Sequence, residues 1–266
     1  MLTSAEQLRA LTPQCPFERF PDGRPRVPDA LLERMKLVTT EEAWGVLRQH
    51  GYHLQFAGHW LTLHPNRVLV GRAVTAVFMP TRPDVHAVIQ AEGQASGRIG
   101  GQNSWVIDTL VEQDVLVVDL FGKIKDGTFI GDNLGTSVAA KSKTGIVVDG
   151  GIRDTQRIYD IPDFAVFTRG MDPSAIANVT LMGINVPIRI GETTVLPGDV
   201  VLGTRTGVIF IPPHLVQEVV ERSEDLRLRD EFGHQRLREG LYTPGEIDRK
   251  WSEAIEADFA QWRTSR

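Results

Sequence analysis

The 266-residue sequence predicts an α/β fold: a β-rich core, part sandwich or barrel, flanked by helices, with extra helices at both ends. Three observations carry this. From Val68 onward, short β-branched runs bounded by Gly, Pro or Asp recur, among them "VLVGRAVTAVF", "DVLVVDL", "GIVVDG" and "FAVFT", and several are apolar throughout, as strands buried on both faces are. Helical stretches separate the earlier runs, around 84–95, 103–112, 133–142 and 153–160. The later runs, "VPIRI", "DVVLG" and "GVIFIP", follow one another closely without helices.

Taken in order, residues 1–65 read as a helical, loop-rich extension. Pro28 and Asp29 suit one helix start, and Thr40 with Glu41 and Glu42 suits a second that stops at Gly51. The stretch "RPRVP" can neither fill a helix interior nor donate a full ladder, so it reads as an extended connection able to wrap a neighbour. Residues 66–213 hold the strands and form the expected catalytic core. Residues 214–266 read as a charged helical tail whose Trp251, Ile255, Phe259 and Trp262 share one face, an apolar stripe that calls for a partner in its own core or in an adjacent subunit.

Composition narrows the function. Hydrophobic residues make up 41% and charged residues 24%, which allows a sizeable core and argues against disorder. The net charge of -5 and the lack of a Lys/Arg block argue against nucleic acid, and a small anionic substrate would need local positive charge. Cys15 is the single cysteine, which excludes an internal disulfide and a cysteine-based zinc site and fits a reducing compartment, the cytoplasm. No signal peptide or membrane-length apolar run is present, so a soluble, unprocessed protein is expected.

The stretch "GDNLGTSVAAKSKTGIVVDGGIRD", residues 131–154, concentrates the chemistry. Gly131, Asp132, Asn133 and Leu134 lead into a helix whose first N–H groups lack ladder partners, a turn suited to a carboxylate or phosphate. An ordinary cap by Asp132 or Asn133 is the competing reading. A buried strand then ends in two glycines, followed by Arg153 and Asp154. Arg153 can fork onto a carboxylate, and Asp154 is a hard oxygen ligand for Mg²⁺ or Mn²⁺. A surface ion pair or another helix cap would also account for them.

Twenty residues lie between Asp132 and Arg153, and Asp154 follows at once. This D-x20-RD pattern, opening on G-D-N-L, resembles the signature of the metal-dependent class II pyruvate aldolases typified by 4-hydroxy-4-methyl-2-oxoglutarate aldolase, whose relatives include the regulator of ribonuclease E activity A. The blocks "GIVVDGGIRD", "FAVFTRGMDPS" and "VPIRIGETTVLPGDVVLGTRTGVIFIP" are similar to successive blocks of that family. The resemblance runs from about Leu69 to Pro213. It implies an αββα arrangement assembled as homo-oligomers, trimers or hexamers, with sites between subunits, and a small-molecule 2-oxo acid as substrate. By the same resemblance, the backbone from Gly131 to Leu134 holds the pyruvyl carboxylate and Arg153 points at the 2-oxo group. Asp154 is the metal position, and Asp132 holds a metal-bound or catalytic water.

The expected activity is therefore a divalent-metal-dependent lyase releasing pyruvate, by aldol cleavage or by decarboxylation of oxaloacetate. Another metal-assisted reaction on an oxo acid or sugar acid, and a non-catalytic regulatory protein on the same scaffold, are the alternatives. Thr204 stands where relatives commonly carry an acid. Arg98, Gln102 and Asn103 sit in a Gly-rich stretch that reads either as a turn and helix cap or as a contact to the distal end of a substrate. His53, His59 and His64 have no metal-ligand spacing. Lys141 and Lys143 are explained by a helix C-terminus.

Overall fold

The computed structural model describes residues 4–265. Helices α1 (Ala5–Leu11), α2 (Asp29–Met35) and α3 (Thr40–Gln49) come first, then two short strands, β1 (Phe56–Ala57) and β2 (Leu61–Thr62). The centre builds as β3 (Leu69–Pro80), α4 (Pro83–Ala95), α5 (Gln102–Ile107), β4 (Asp114–Thr128), α6 (Asp132–Ser142), β5 (Gly145–Ile152), α7 (Thr155–Tyr159) and β6 (Ala165–Met171). Strands β7 (Val179–Ile184), β8 (Ile188–Ile190), β9 (Thr193–Val195), β10 (Val200–Gly203) and β11 (Val208–Ile211) follow without an α-helix between them. Helices α8 (Val216–Glu239), α9 (Pro244–Ile247) and α10 (Glu253–Thr264) complete the described chain.

Strands β3, β4, β5 and β6 pair in parallel and form the middle of a sheet ordered β1-β11-β10-β3-β4-β5-β6-β2, with β7 on the distal half of β3. Their continuous apolar runs follow from burial on both faces. Leu116, Val118, Ile146, Val148 and Val166 join the helix-side cluster with Trp105, Val138 and Ile158. Their neighbours Val115, Val117, Val147 and Phe167 face the opposite way, packing with Ile188, Ile190 and Val195 of the β8–β9 hairpin and with Phe210. Mixed α/β architecture with helices flanking a central sheet is thus what the strand pattern predicts.

Residues 4–65 are built into this body. Val27, Leu32 and Met35 pack with Val200, Leu202 and Ile211 of the sheet and with Val216 and Val219 of α8, while β1 pairs with β11 and β2 with β6. The 24–28 stretch lies along the chain's own sheet: Arg24, 2% exposed, donates to Asp114 at the start of β4 (3.0 Å) and to Asp22 (2.7 Å).

Three helix boundaries differ from expectation. Thr39, not Thr40, caps α3, in a capping box with Glu42. Helix α5 ends at Ile107 instead of 112, because the Thr109 hydroxyl donates to the Val106 carbonyl and Asp114 Oδ2 accepts the Val111 N–H, winding the chain into β4. Trp251 precedes α10, yet its ring lies 5.3 Å from Phe232 and 5.5 Å from Phe259, so the tail stripe packs on α8 of its own chain. Among the described residues, no helix is long and apolar enough to cross a membrane.

Candidate active site

Because β4 and β5 run parallel, in register from Val115 opposite Gly145 to Asp119 opposite Asp149, their carboxyl ends reach the same edge of the sheet. There the β4-to-α6 turn supplies residues 131–134, and the β5-to-α7 turn supplies Arg153 and Asp154. The Arg153 N–H donates to the Ile130 carbonyl (3.0 Å), stitching the two turns together. The interval of twenty residues is the length of one helix, one turn and one strand.

Gly131 is the N-cap of α6, and its carbonyl accepts the first ladder bond from the Gly135 N–H (2.8 Å). Asp132 is therefore not the cap. Its Oδ1 accepts the Asn133 N–H (2.9 Å), and the other first-turn N–H groups of α6 have no ladder partner, as at any helix start. A Cβ built on Gly131 would overlap Asp154 Oδ2 and sit 3.1 Å from Arg153 Nε. Glycine at 131 leaves this close approach undisturbed, since a Cβ would push the Asp154 carboxylate aside; its φ of -114° is one any residue adopts.

Asp154 holds a left-handed backbone (φ 54°, ψ 36°) at the N-cap of α7, yet its side chain makes no cap bond. That conformation is uncommon for a non-glycine residue. It leaves the carboxylate 42% exposed, 3.5 Å from Arg153 Nε, in an open cleft of about 560 Å³ lined also by Arg157, Met171 and Asp172. Its rim thus carries two guanidinium groups on a chain of net negative charge.

Arg157 and Asp172 were not visible as site residues in the sequence. Arg157 Nη1 donates to Asp132 Oδ2 (3.0 Å), and this bond holds the Asp132 carboxyl below the usual carboxylate range. Asp172 is likewise lowered, first by the Ser174 hydroxyl and then by its backbone N–H. The signal for Arg157 was its place one helical turn after Arg153.

Other residues singled out from the sequence are used internally. Gln102 spans Gln90 (3.1 Å) and the Leu181 N–H (2.7 Å), Asn103 donates to the Phe129 carbonyl (2.9 Å), and Arg98 donates to the Trp105 carbonyl (3.1 Å). Thr204 closes a turn with Gly207, and its hydroxyl lies 2.6 Å from the Thr40 hydroxyl. His64 stacks on Tyr159 at 4.4 Å. Lys143 caps α6 in a left-handed conformation and pairs with Glu112 (2.9 Å).

Among the described residues, no group of three or more His, Cys, Asp or Glu forms an all-protein metal cage. The Asp154 carboxylate fits a different donor set: one hard oxygen ligand, exposed in a cleft and pressed against a glycine, with room for water and ligand oxygens, as suits Mg²⁺ or Mn²⁺.

The Aldolase/RraA model of RraA-like proteins matches residues 27–210. The chain belongs to the RraA-like family. Among RraA-like proteins, it is 32% identical over 138 residues to one from Halalkalibacterium halodurans named "Putative 4-hydroxy-4-methyl-2-oxoglutarate aldolase", covering 49% of this chain and 63% of that protein. It is 28% identical over 118 residues to the Thermus thermophilus "4-hydroxy-4-methyl-2-oxoglutarate aldolase", covering 43% of this chain and 71% of that protein. The alignment with the Halalkalibacterium protein thus spans less than two thirds of its length. The solved structure of Streptomyces coelicolor RraAS2, described as an unusual member of the RNase ES inhibitor RraA family, is 27% identical with a TM-score of 0.67. That match covers 83% of this chain and all of the Streptomyces chain.

Proposed function

We propose that the chain is a divalent-metal-dependent carbon–carbon lyase that releases pyruvate from a 2-oxo acid, by aldol cleavage of a 4-hydroxy-2-oxo acid, by decarboxylation of oxaloacetate, or by both. One observation carries the reading: the N-terminus of α6 and the Arg153–Asp154 turn converge so closely that a Cβ at position 131 would displace the Asp154 carboxylate.

Breaking the C3–C4 bond sends its electron pair towards the 2-oxo group and leaves the enolate of pyruvate. The N–H groups of Asp132 and Leu134 receive the substrate carboxylate at the positive end of α6. The Arg153 guanidinium donates to the 2-oxo oxygen as negative charge develops there. Asp132, whose carboxyl Arg157 holds below the ordinary pKa range and in place, orients the water that takes the 4-hydroxyl proton. Asp154 would hold a divalent cation, which would supply Lewis-acid stabilisation of the enolate charge. Decarboxylation leaves the same enolate with CO₂ in place of a carbonyl compound and needs no 4-hydroxyl deprotonation; in both reactions the enolate takes a proton at C3, from the water beside Asp132, to become pyruvate.

Assembly as a trimer or hexamer belongs to the same proposal. Partly exposed Phe121 and Ile124 of β4, with Met171 on the cleft rim, are the apolar surface such an assembly would cover.

The test is pyruvate release, coupled to lactate dehydrogenase, from oxaloacetate and a panel of 4-hydroxy-2-oxo acids with Mg²⁺, Mn²⁺ or EDTA, with Asp154→Ala beside the wild type. Metal-dependent release lost in the variant supports the lyase. The second reading, a non-catalytic binding protein, is favoured by the likeness to the Streptomyces protein. Release from no compound, with or without metal, would replace the lyase by that reading.

A further inference from the structure

A second cavity, of about 200 Å³, shares no residue with the cleft. It lies between the turn after α1, the segment after α3, the β9-to-β10 turn and the segment after β11. Leu11, Pro13, Leu196, Pro212 and Pro213 make most of its wall apolar, and no lysine or arginine lines it. Asp199 lines it too and is only 2% exposed. Its Oδ2 accepts the Leu196 N–H (2.8 Å), and among the described residues no cation pairs with the carboxyl.

A buried carboxyl without a cation is costly, and proteins normally pair such groups. The neighbouring titratable groups do not supply the charge. Cys15 donates weakly to the Phe17 carbonyl (3.7 Å). His214 lies 3.4 Å from the Tyr52 hydroxyl and is held below its ordinary pKa by burial and then by His50, which itself pairs with Glu218 (2.9 Å). The Arg19 guanidinium is taken by Thr12 and the Gly23 carbonyl.

We infer that this cavity is a binding site for a small organic cation, an alkylammonium whose charged end pairs with Asp199 and whose chain lies against the proline and leucine wall. The volume equals about seven waters, enough for a short-chain amine. Once ionised, the carboxylate would meet an anion unscreened, and a neutral alcohol would leave its charge uncompensated. Burial pushes the Asp199 carboxyl up to about 7, so a cation binds more tightly as pH rises and the carboxyl ionises.

The experiment is titration of the full chain with butylammonium chloride, followed by ligand-observed NMR and calorimetry at pH 6 and pH 8, with 1-butanol as the neutral control. The variants are Asp199→Asn and Thr194→Trp, the latter at an exposed rim residue where bulk blocks the cavity without touching the core. Saturable binding is expected, tighter at pH 8 by up to about tenfold, at least about tenfold weaker in both variants, and absent for butanol. No saturable binding at pH 8, unchanged affinity in Asp199→Asn, or equal binding of butanol would overturn the inference. If Asp199→Asn does not fold, unchanged affinity in Thr194→Trp overturns it alone.

Discussion

Gly131 and Asp154 belong to different strand-to-helix turns, yet the Asp154 carboxylate occupies the space that a Cβ on Gly131 would fill. Replacement of this glycine therefore acts on the site and not on the fold, since its φ of -114° suits any residue. For Gly131→Ala we predict an unchanged circular dichroism spectrum and a loss of kcat/KM for pyruvate release of about a hundredfold, the scale of an ångström-size displacement of a reacting group. Wild-type kinetics in this variant would show that the close approach has no part in catalysis.

Arg153→Lys keeps a charge but removes the planar fork. Under the lyase reading, turnover falls by about a hundredfold to a thousandfold, the loss typical of removing one donor from a developing oxyanion. The check is steady-state pyruvate release at saturating substrate. Equal turnover of the two proteins would take Arg153 out of the mechanism.

Arg157→Ala frees Asp132 from its side-chain partner. The hydrogen bond from Arg157 is the first cause of the low Asp132 pKa, so the folded-state pKa rises towards the ordinary value in the variant. Activity that requires the ionised carboxylate is lost as pH falls through that pKa, so the acid limb of the pH–rate profile moves to higher pH. A limb that stays in place would mean that Asp132 does not set it.

Asp199 imposes a pH dependence of opposite sign on stability. Its folded pKa of about 7 lies above the ordinary 3.8, so its protonated form is the one the fold tolerates. Stability is fully present below about pH 4 and declines as pH rises through about 7, by at most on the order of 4 kcal/mol. Asp199→Asn should therefore raise Tm at pH 8 and change it little at pH 4. A Tm difference independent of pH would contradict this.

Phe232 is fully buried, with the rings of Tyr242, Trp251, Phe259 and Trp262 around it. Phe232→Ala should destabilise this satellite cluster by about 3–5 kcal/mol. Hydrogen exchange is expected to rise in residues 244–265 while β3 to β6 keep their protection, because the cluster is separate from the sheet core. Uniform acceleration across the sheet would show instead that the tail and the core unfold together.

The parallel strands were legible because two buried faces make their apolar runs continuous, as in "GIVVDG". The two halves of the cleft were legible because α6 and β5 fill the interval between Asp132 and Arg153, turning a three-dimensional meeting into a sequence spacing. Arg157 escaped notice because its bond to Asp132 spans 25 positions and exists only once α7 lies beside α6. Asp199 escaped for a related reason: "LPGD" reads as a surface turn, and it becomes an interior one when the distant segments around Pro13 and Pro212 cover it. The tail stripe was legible as apolar but not in its geometry, since Trp251 reaches Phe232 from outside the helix that its spacing suggested.

The in-register pairing of β4 and β5 has a further consequence. The two turns that make the cleft hang from neighbouring strands: the register shifts between Asp119 and Thr128, but Thr128 again pairs with Gly151 and the Arg153 N–H meets the Ile130 carbonyl, so the sheet holds the two turns together. Residues 171–173 share that frame: Met171 pairs with Ile152, the Asp172 N–H donates to the Ile152 carbonyl (3.1 Å), and Ser174 beside them bonds to Asp126 and Thr128 of β4. Both sides of the cleft are therefore anchored on the same strands, so a change in the molecule it accepts has to come from the side chains it presents and not from a loop that swings.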